Sequence, residues 1–416
     1  MSSGEWIRAG SVVVGDNREP LLDHAVRLEG GVICEVVSGP KAPSAALDLR
    51  GQTLAPGLID AHAHLIFSSE PTHGEARHAV EVASRERLLA TAVRHGLDCL
   101  RGGVTTVRDL GDRDLIVAGL RDFVAEGLLV GPTILSAGTP ITITAGHLGW
   151  LGGNADGSDA LVAKTRQLVA AGVDVIKVMA TGGNMTRESN NRIPQFTAEE
   201  LGLIVFEAHR GRKKVAAHAH NAEALRRCVS AGVDTLEHCG WRDADGNPDL
   251  TDADLASMRQ AATVGVATLA GIARYLLPDL AVANPEAART AVSMSPSGGD
   301  LREDFAWARV MRDAGIDVVL ASDAGVRFTP FERFIDTLRA GALALDIDGA
   351  TTIGLATGVA ARALGIEDRV GTIETGKRAD LVALDSVVTA GSASLGEVCD
   401  VWQAGRHVVH CGQVRW

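Results

Sequence analysis

Residues 171–180 read Ala-Gly-Val-Asp-Val-Ile-Lys-Val-Met-Ala. Glycine stops a helix there, and a short apolar run of strand character follows at once. The same Ala-Gly-Val-Asp recurs at 231–234, and Ala-Gly-Ile-Asp at 314–317. Segments of helical period stand between the apolar runs, as in "DALVAKTRQLVAAG" (159–172), "TAEELGLIVFEAHRGR" (197–212) and "REDFAWARVMRDAG" (302–315). Working outward, the apolar runs are "GLIDAHAHL" (57–65), "VTTVRDL" (104–110), "PTILSAG" (132–138), "VDVIKVMA" (173–180), "KVAAHAH" (214–220), "VDTLEHC" (233–239), "VGVATLA" (264–270) and "IDVVLASD" (316–323). Eight strand candidates alternating with helices predict an α/β protein with a (β/α)8 TIM barrel. A doubly wound sheet is the alternative.

The flanks read differently. "AGSVVVGD", "HAVRLEGGVICEVV" and "ALDLRGQTLAPG" near the start, and "GTIETGKRADLVALD" and "VCDVWQAGRHVVHCGQVRW" at the end, carry β-branched runs broken by turn residues. Two separate end-pieces would each expose an unpaired sheet edge. The expectation is one small composite β-sandwich from residues 1–56 and 369–416, and a barrel over 57–368.

A chain of 416 residues, 46% hydrophobic, supports one barrel and a satellite. With aromatics at 4% and 47 glycines, the core must be mainly Val, Ile, Leu and Ala. A formal charge of -12 excludes the positive field that nucleic acid or an anionic membrane needs as a partner. The opening residues lack the apolar stretch of a signal peptide, and no run approaches a membrane span. Cys34, Cys99, Cys228, Cys239, Cys399 and Cys411 form no close pair, so reduced thiols and a cytoplasmic setting are expected.

The chemistry-bearing residues gather at strand ends. His62 and His64 are two apart, so strand periodicity aims both imidazoles to one side. Lys177 lies inside an apolar strand, which is costly unless the amine is paired, neutral or modified. Carboxylated by CO2, it would offer two oxygens and could bridge two metals. His218 and His220 end another run, His238 the next, and Asp323 the last. In a barrel these ends converge on the face where active sites lie. Nitrogen and carboxylate ligands suit zinc and also accept manganese, iron or cobalt. Glu237 alternates with His238 and reads as support for a histidine.

The pieces "PGLIDAHAHL", "GVTTVRDLG", "VIKVMATGG", "QFTAEEL", "AHAHN", "AGVDTLEHC" and "ASDAG", in that order, resemble the amidohydrolase superfamily over nearly the whole chain. The likeness is to the imidazolonepropionase-like and Xaa-Pro dipeptidase-like group with a binuclear centre. It implies His62 and His64 as ligands of the more buried metal, N-carboxylated Lys177 as the bridge, and His218 and His238 as ligands of the second metal. Asp323 would bind the first metal and shuttle the proton, and His220 would face substrate or support the site. His147, in "TITAGHLGWLGG", would orient the scissile carbonyl from a loop whose glycines at 146, 149, 152 and 153 permit close approach. The loop "ATGGNMTRESNNRIPQF" would shape specificity, with Arg187, Arg192 and Tyr275 as candidate binders of a carboxylate or carbonyl.

The expected activity is metal-dependent hydrolysis of the amide bond of small molecules such as dipeptides or N-acyl amino acids. Two divalent ions, zinc by preference, would share a bridging hydroxide. Ring opening of a cyclic amide or imidazolone, or hydrolytic deamination, is the alternative. Carbamates, aryl amides and lactones stay open. A scaffold protein that kept the fold would have lost ligands, and none of the six is missing here. The partner is a small molecule, with self-association into a homo-oligomer left open.

Overall fold

The computed structural model describes residues 5–44, 46–269, 273–295 and 297–415. The first residues of the chain, Ala270 at the end of one strand candidate, and Trp416 lie outside them. Strands β1 (Glu5–Val12), β2 (Leu21–Glu29), β3 (Val32–Ser38) and β4 (Leu47–Pro56) come first. Strands β5 (Leu58–Ala63), β6 (Val104–Asp109) and β7 (Thr133–Ser136) form a three-stranded parallel sheet. Strands β8 (Val175–Met179), β9 (Lys214–His218), β10 (Thr235–Glu237), β11 (Val264–Thr268) and β12 (Val318–Ala321) form a five-stranded parallel sheet in chain order. Each apolar run of the sequence contains one of these strands.

Backbone hydrogen bonds continue across both gaps between these sheets. At one, Asp323 N–H donates to His62 O and His64 N–H to Ala324 O, both 2.8 Å. At the other, Ile141 N–H donates to Lys177 O at 2.8 Å and Met179 N–H to Ile141 O at 2.9 Å. Each gap is spanned by a parallel bridge, Ala63 with Ala324 at one and Ile141 with Val178 at the other.

The repeated Ala-Gly-Val-Asp explains how helix and strand are joined. Gly172, Gly232 and Gly315 all take left-handed φ, at 78°, 82° and 78°, where a side chain would strain the turn. The aspartate then ties the incoming strand to its neighbour. Asp174 Oδ2 accepts from Ser136 N–H at 2.9 Å, and Asp234 Oδ2 accepts from Val215 N–H at 2.8 Å. The helix Ala198–Arg210 starts on a capping box in which Thr197 and Glu200 satisfy each other's backbone donors.

Strands β13 (Leu381–Leu384), β14 (Val398–Gln403), β15 (Arg406–His410) and β16 (Gln413–Val414) close the chain. Both ends build one eight-stranded sheet in the order β16-β15-β14-β13-β4-β1-β2-β3. The sheet curls, because edge strand β3 returns to the segment before β13: Ile33 N–H donates to Lys377 O at 2.9 Å and Gly376 N–H to Ile33 O at 2.8 Å. Inside the curl Ile7, Val26, Ile33, Leu54, Leu381 and Trp402 form a separate apolar cluster. β4 then runs through Gly57 straight into β5, so this sheet holds the strand that carries His62 and His64. All six cysteines are unbridged. Among the described residues no helix is long and apolar enough to cross a membrane.

Candidate metal centre

The strands are shorter than the apolar runs at the places where chemistry begins. β10 stops at Glu237 because His238 and Cys239 turn left-handed, with φ of 66° and 48°. β12 stops at Ala321, and Asp323 has φ 56°. Left-handed backbone at residues other than glycine costs on the order of 1–3 kcal/mol each and persists where surrounding contacts enforce it. Here it turns an imidazole and a carboxylate inward.

The structure brings all six predicted ligands to one cavity of about 110 Å³, together with His147 and His220. Asp323 Oδ1 lies 3.5 Å from His62 Nε2 and 3.4 Å from His64 Nε2. The His62 and His238 rings are 5.0 Å apart, and those of His218 and His238 4.7 Å. Ligand atoms of His62, His238 and Asp323 fall within 4.8 Å of one another, as do those of His218, His220 and His238. His220 thus joins one candidate ligand group as well as facing the cavity, and it stacks on His238 at 4.7 Å. Lys177 is 1% exposed, and its Nζ has no hydrogen-bond partner. His64 Nδ1, His147 Nδ1 and Asp323 Oδ1 are also buried without a hydrogen bond.

Burial sets the charge states. It pushes the His62 and His220 imidazoles down to about 4, and those of His147, His218 and His238 well below their usual value. Neutral imidazoles are the form a metal binds. Burial also pushes the Lys177 amine down to about 8. Burial drives the Asp323 carboxyl upward, but His62, His64 and Lys177 together hold it below the usual carboxylate range.

The supporting contacts were only partly legible in the sequence. Glu237 is fully buried and takes the Nδ1 side of His62 at 2.8 Å, as expected of a residue that supports a histidine. Its other oxygen binds Arg108 at 2.8 Å and Thr235 Oγ1 at 2.6 Å. Burial pushes the Glu237 carboxyl up, yet Arg108 foremost holds it at about 2. Arg108 also donates to Ala61 O at 2.6 Å, which joins β6 to the strand bearing His62. Asp60 does the same across the β5–β12 gap. Its Oδ1 accepts from Ser322 N–H at 3.0 Å and its Oδ2 from the Ser322 hydroxyl. A third missed residue, His73, lines the cavity from the start of the helix His73–Val82.

His147 is 6% exposed and its ring is 4.6 Å from that of His218. Gly183 makes this approach feasible: a Cβ there would meet His147 Nε2 at 2.5 Å. Gly146, Gly149, Gly152 and Gly153 do not line the cavity. Neither do the candidate substrate binders. Arg187 and Arg192 are exposed, and Arg192 donates to Ala244 O at 3.2 Å. Tyr275 donates to Phe328 O at 3.2 Å. A separate group, Asp400, His407 and His410, sits in the curled sheet, where both imidazoles meet one Asp400 oxygen at 2.8 and 2.6 Å and so satisfy each other.

The sequence profile of the amidohydrolase family matches residues 53–408. An ochratoxinase of Aspergillus niger is 32% identical over 273 residues, which covers 58% of this chain and 55% of that protein. The chain thus spans about half the length of that relative. An imidazolonepropionase of Rhodococcus jostii is 26% identical, covering 92% of this chain and 88% of its own. Among solved structures, a Xaa-Pro dipeptidase with methionine bound in its active site is 28% identical, with TM-score 0.78, covering 97% of this chain and 99% of its own.

Proposed function

The chain belongs to the amidohydrolase family, and on that premise we propose that it is a metal-dependent hydrolase that cleaves the amide bond of small N-acyl amino acids or dipeptides. The observation that carries the reading is Lys177, a buried amine with no partner in a ring of neutral histidines and one carboxylate. An uncompensated buried amine is destabilising by itself. It becomes intelligible as a bridge between metals.

The strands β5 to β12 close in this reading as a (β/α)8 barrel of residues 57–368, and residues 1–56 with 369–416 form a β-sandwich. The hydrogen bonds across both gaps and the curl of the terminal sheet support that division. The donor set fits two divalent ions, zinc by preference: His62, His64 and Asp323, which lie together, would hold one, and His218 and His238 the other. The Lys177 amine, its pKa lowered to about 8, would in its unprotonated form add CO2 with loss of a proton, and the resulting carbamate would supply oxygen ligands to the centre. When bound, such ions lower the pKa of water and polarise a carbonyl.

The remaining work falls to side chains. Asp323 takes the proton of the attacking water and returns it to the leaving amine. Glu237, held ionised by Arg108, keeps the His62 proton on Nδ1 and frees Nε2. His147 and His220 flank the cavity where a scissile carbonyl would lie and orient it. The small cavity, with Leu148, Met179, Met185 and Val326 in its walls, selects a compact substrate with an apolar group.

Likeness to a Xaa-Pro dipeptidase supports a peptide-like bond. Likeness to an imidazolonepropionase over most of the chain favours a second reading, opening of a nitrogen ring. A panel of dipeptides, N-acyl amino acids and nitrogen-ring compounds, read by mass spectrometry on metal-replete protein, separates them. We expect water to be added and two fragments released from linear amides. Turnover of ring compounds alone, or ammonia as the sole nitrogen product, would replace the amide reading with the second.

A further inference from the structure

His73 has no place in the metal set, yet it faces the same cavity as the ligands. It is the first residue of the helix His73–Val82, reached from β5 by the loop that follows His64. Both of its ring nitrogens are shut off from solvent, and neither has a hydrogen-bond partner. Buried polar atoms are nearly always satisfied, so an unpartnered N–H on a ring at a cavity wall points to a ligand group that accepts from it.

The surroundings narrow that group's chemistry. Burial first, and the charge of Arg327 second, push this imidazole down to about 4. The ring is therefore neutral near pH 7 and carries one N–H donor. Arg327 follows Val326, itself a cavity residue, so a positive charge stands beside this wall. At this ring Arg327 outweighs the opposing charge of Asp323, so the local field favours an anion. Met185 and Leu148, 7% and 2% exposed, keep the neighbouring wall dry, which strengthens any hydrogen bond made there. Arg187 and Arg192, the cations the sequence offered for this task, lie outside the cavity walls.

We propose that His73 donates a hydrogen bond to the free carboxylate of the substrate, beside Arg327, and so makes the site selective for amides that adjoin a carboxylate. This rests on the amide-hydrolase reading above and names the recognition element it lacks. His73 is a specificity residue: it contacts the end of the substrate that does not react.

The test is calorimetric binding to the metal-loaded full chain, with L-methionine and L-methioninamide as probes. The two differ only in the carboxylate. Wild-type protein should bind the acid about tenfold or more tightly than the amide, the scale of one hydrogen bond to a charged group. His73→Phe, which keeps a ring and removes the donor, should erase most of that preference. His73→Gln, which keeps a donor, should retain part of it and shows that a loss in the Phe variant is not misfolding. An unchanged acid-to-amide ratio in His73→Phe overturns the assignment. Equal binding of both probes by wild-type protein overturns it too, while leaving amide hydrolysis standing. Binding of neither probe removes the amino-acid reading on which it rests.

Discussion

Asp323→Asn protein, fully loaded with metal, is expected to turn over about 100-fold or more slowly than wild type, the range for losing a positioned acid-base group. The carboxylate stands between the Nε2 atoms of His62 and His64, at 3.5 and 3.4 Å. Those groups and Lys177 keep it ionised although burial opposes this, so it is ready to accept a proton. An amide of the same size cannot. The substitution is a clean one because Asp323 sits at φ 56°, and asparagine tolerates left-handed backbone better than any other side chain. The variant should therefore fold and keep the β5–β12 contact made by its backbone N–H to His62 O. Steady-state kcat, measured beside metal content, decides the point. Near-wild-type turnover in a metal-loaded variant would remove Asp323 from proton transfer.

Lys177→Ala should lose more than the roughly 10–100-fold in metal affinity or activity that follows removal of a group merely supporting a ligand. Lys177 is 1% exposed with no partner for its amine, so its removal relieves an unsatisfied buried group while the loss of its buried stem leaves a cavity, two effects of opposite sign. Metal-free variant and metal-free wild type should then melt at similar temperatures, which separates loss of the site from loss of the fold. The space left by the side chain admits a short carboxylic acid. Added acetate or propionate should restore part of the activity, since it replaces the two oxygens of a carbamate. Full activity in the variant without such an additive would contradict the bridging role.

Strand positions, and the gathering of the six candidate ligands at one cavity, were readable because they depend on local pattern. Alternation in "GLIDAHAHL" places His62 and His64 together, and Ala-Gly-Val-Asp marks where a helix ends and a strand starts. Other parts depend on contacts between distant residues. Asp60 works through Ser322, 262 residues away, and Arg108 through Glu237, 129 residues away. Nothing local distinguishes Asp60 from any other charge in a strand. The charge of Arg108 inside the strand "VTTVRDL" was the one available signal. His73 looked like an ordinary helix start, and only the cavity gives it meaning. Arg187 and Arg192 stand outside the cavity walls for the converse reason: a loop sequence shows which polar groups it carries but not which way they turn. The same holds for strand length, since the left-handed turns at His238 and Asp323 cannot be read from side-chain type.

The central claim is a pair of metal ions held by His62, His64, Lys177, His218, His238 and Asp323, and elemental analysis tests it most directly. Protein purified without chelators and shown to be active should carry two tightly held equivalents of divalent metal per chain, falling in Lys177→Ala together with activity. Protein that is saturated and fully active with one equivalent would contradict the account.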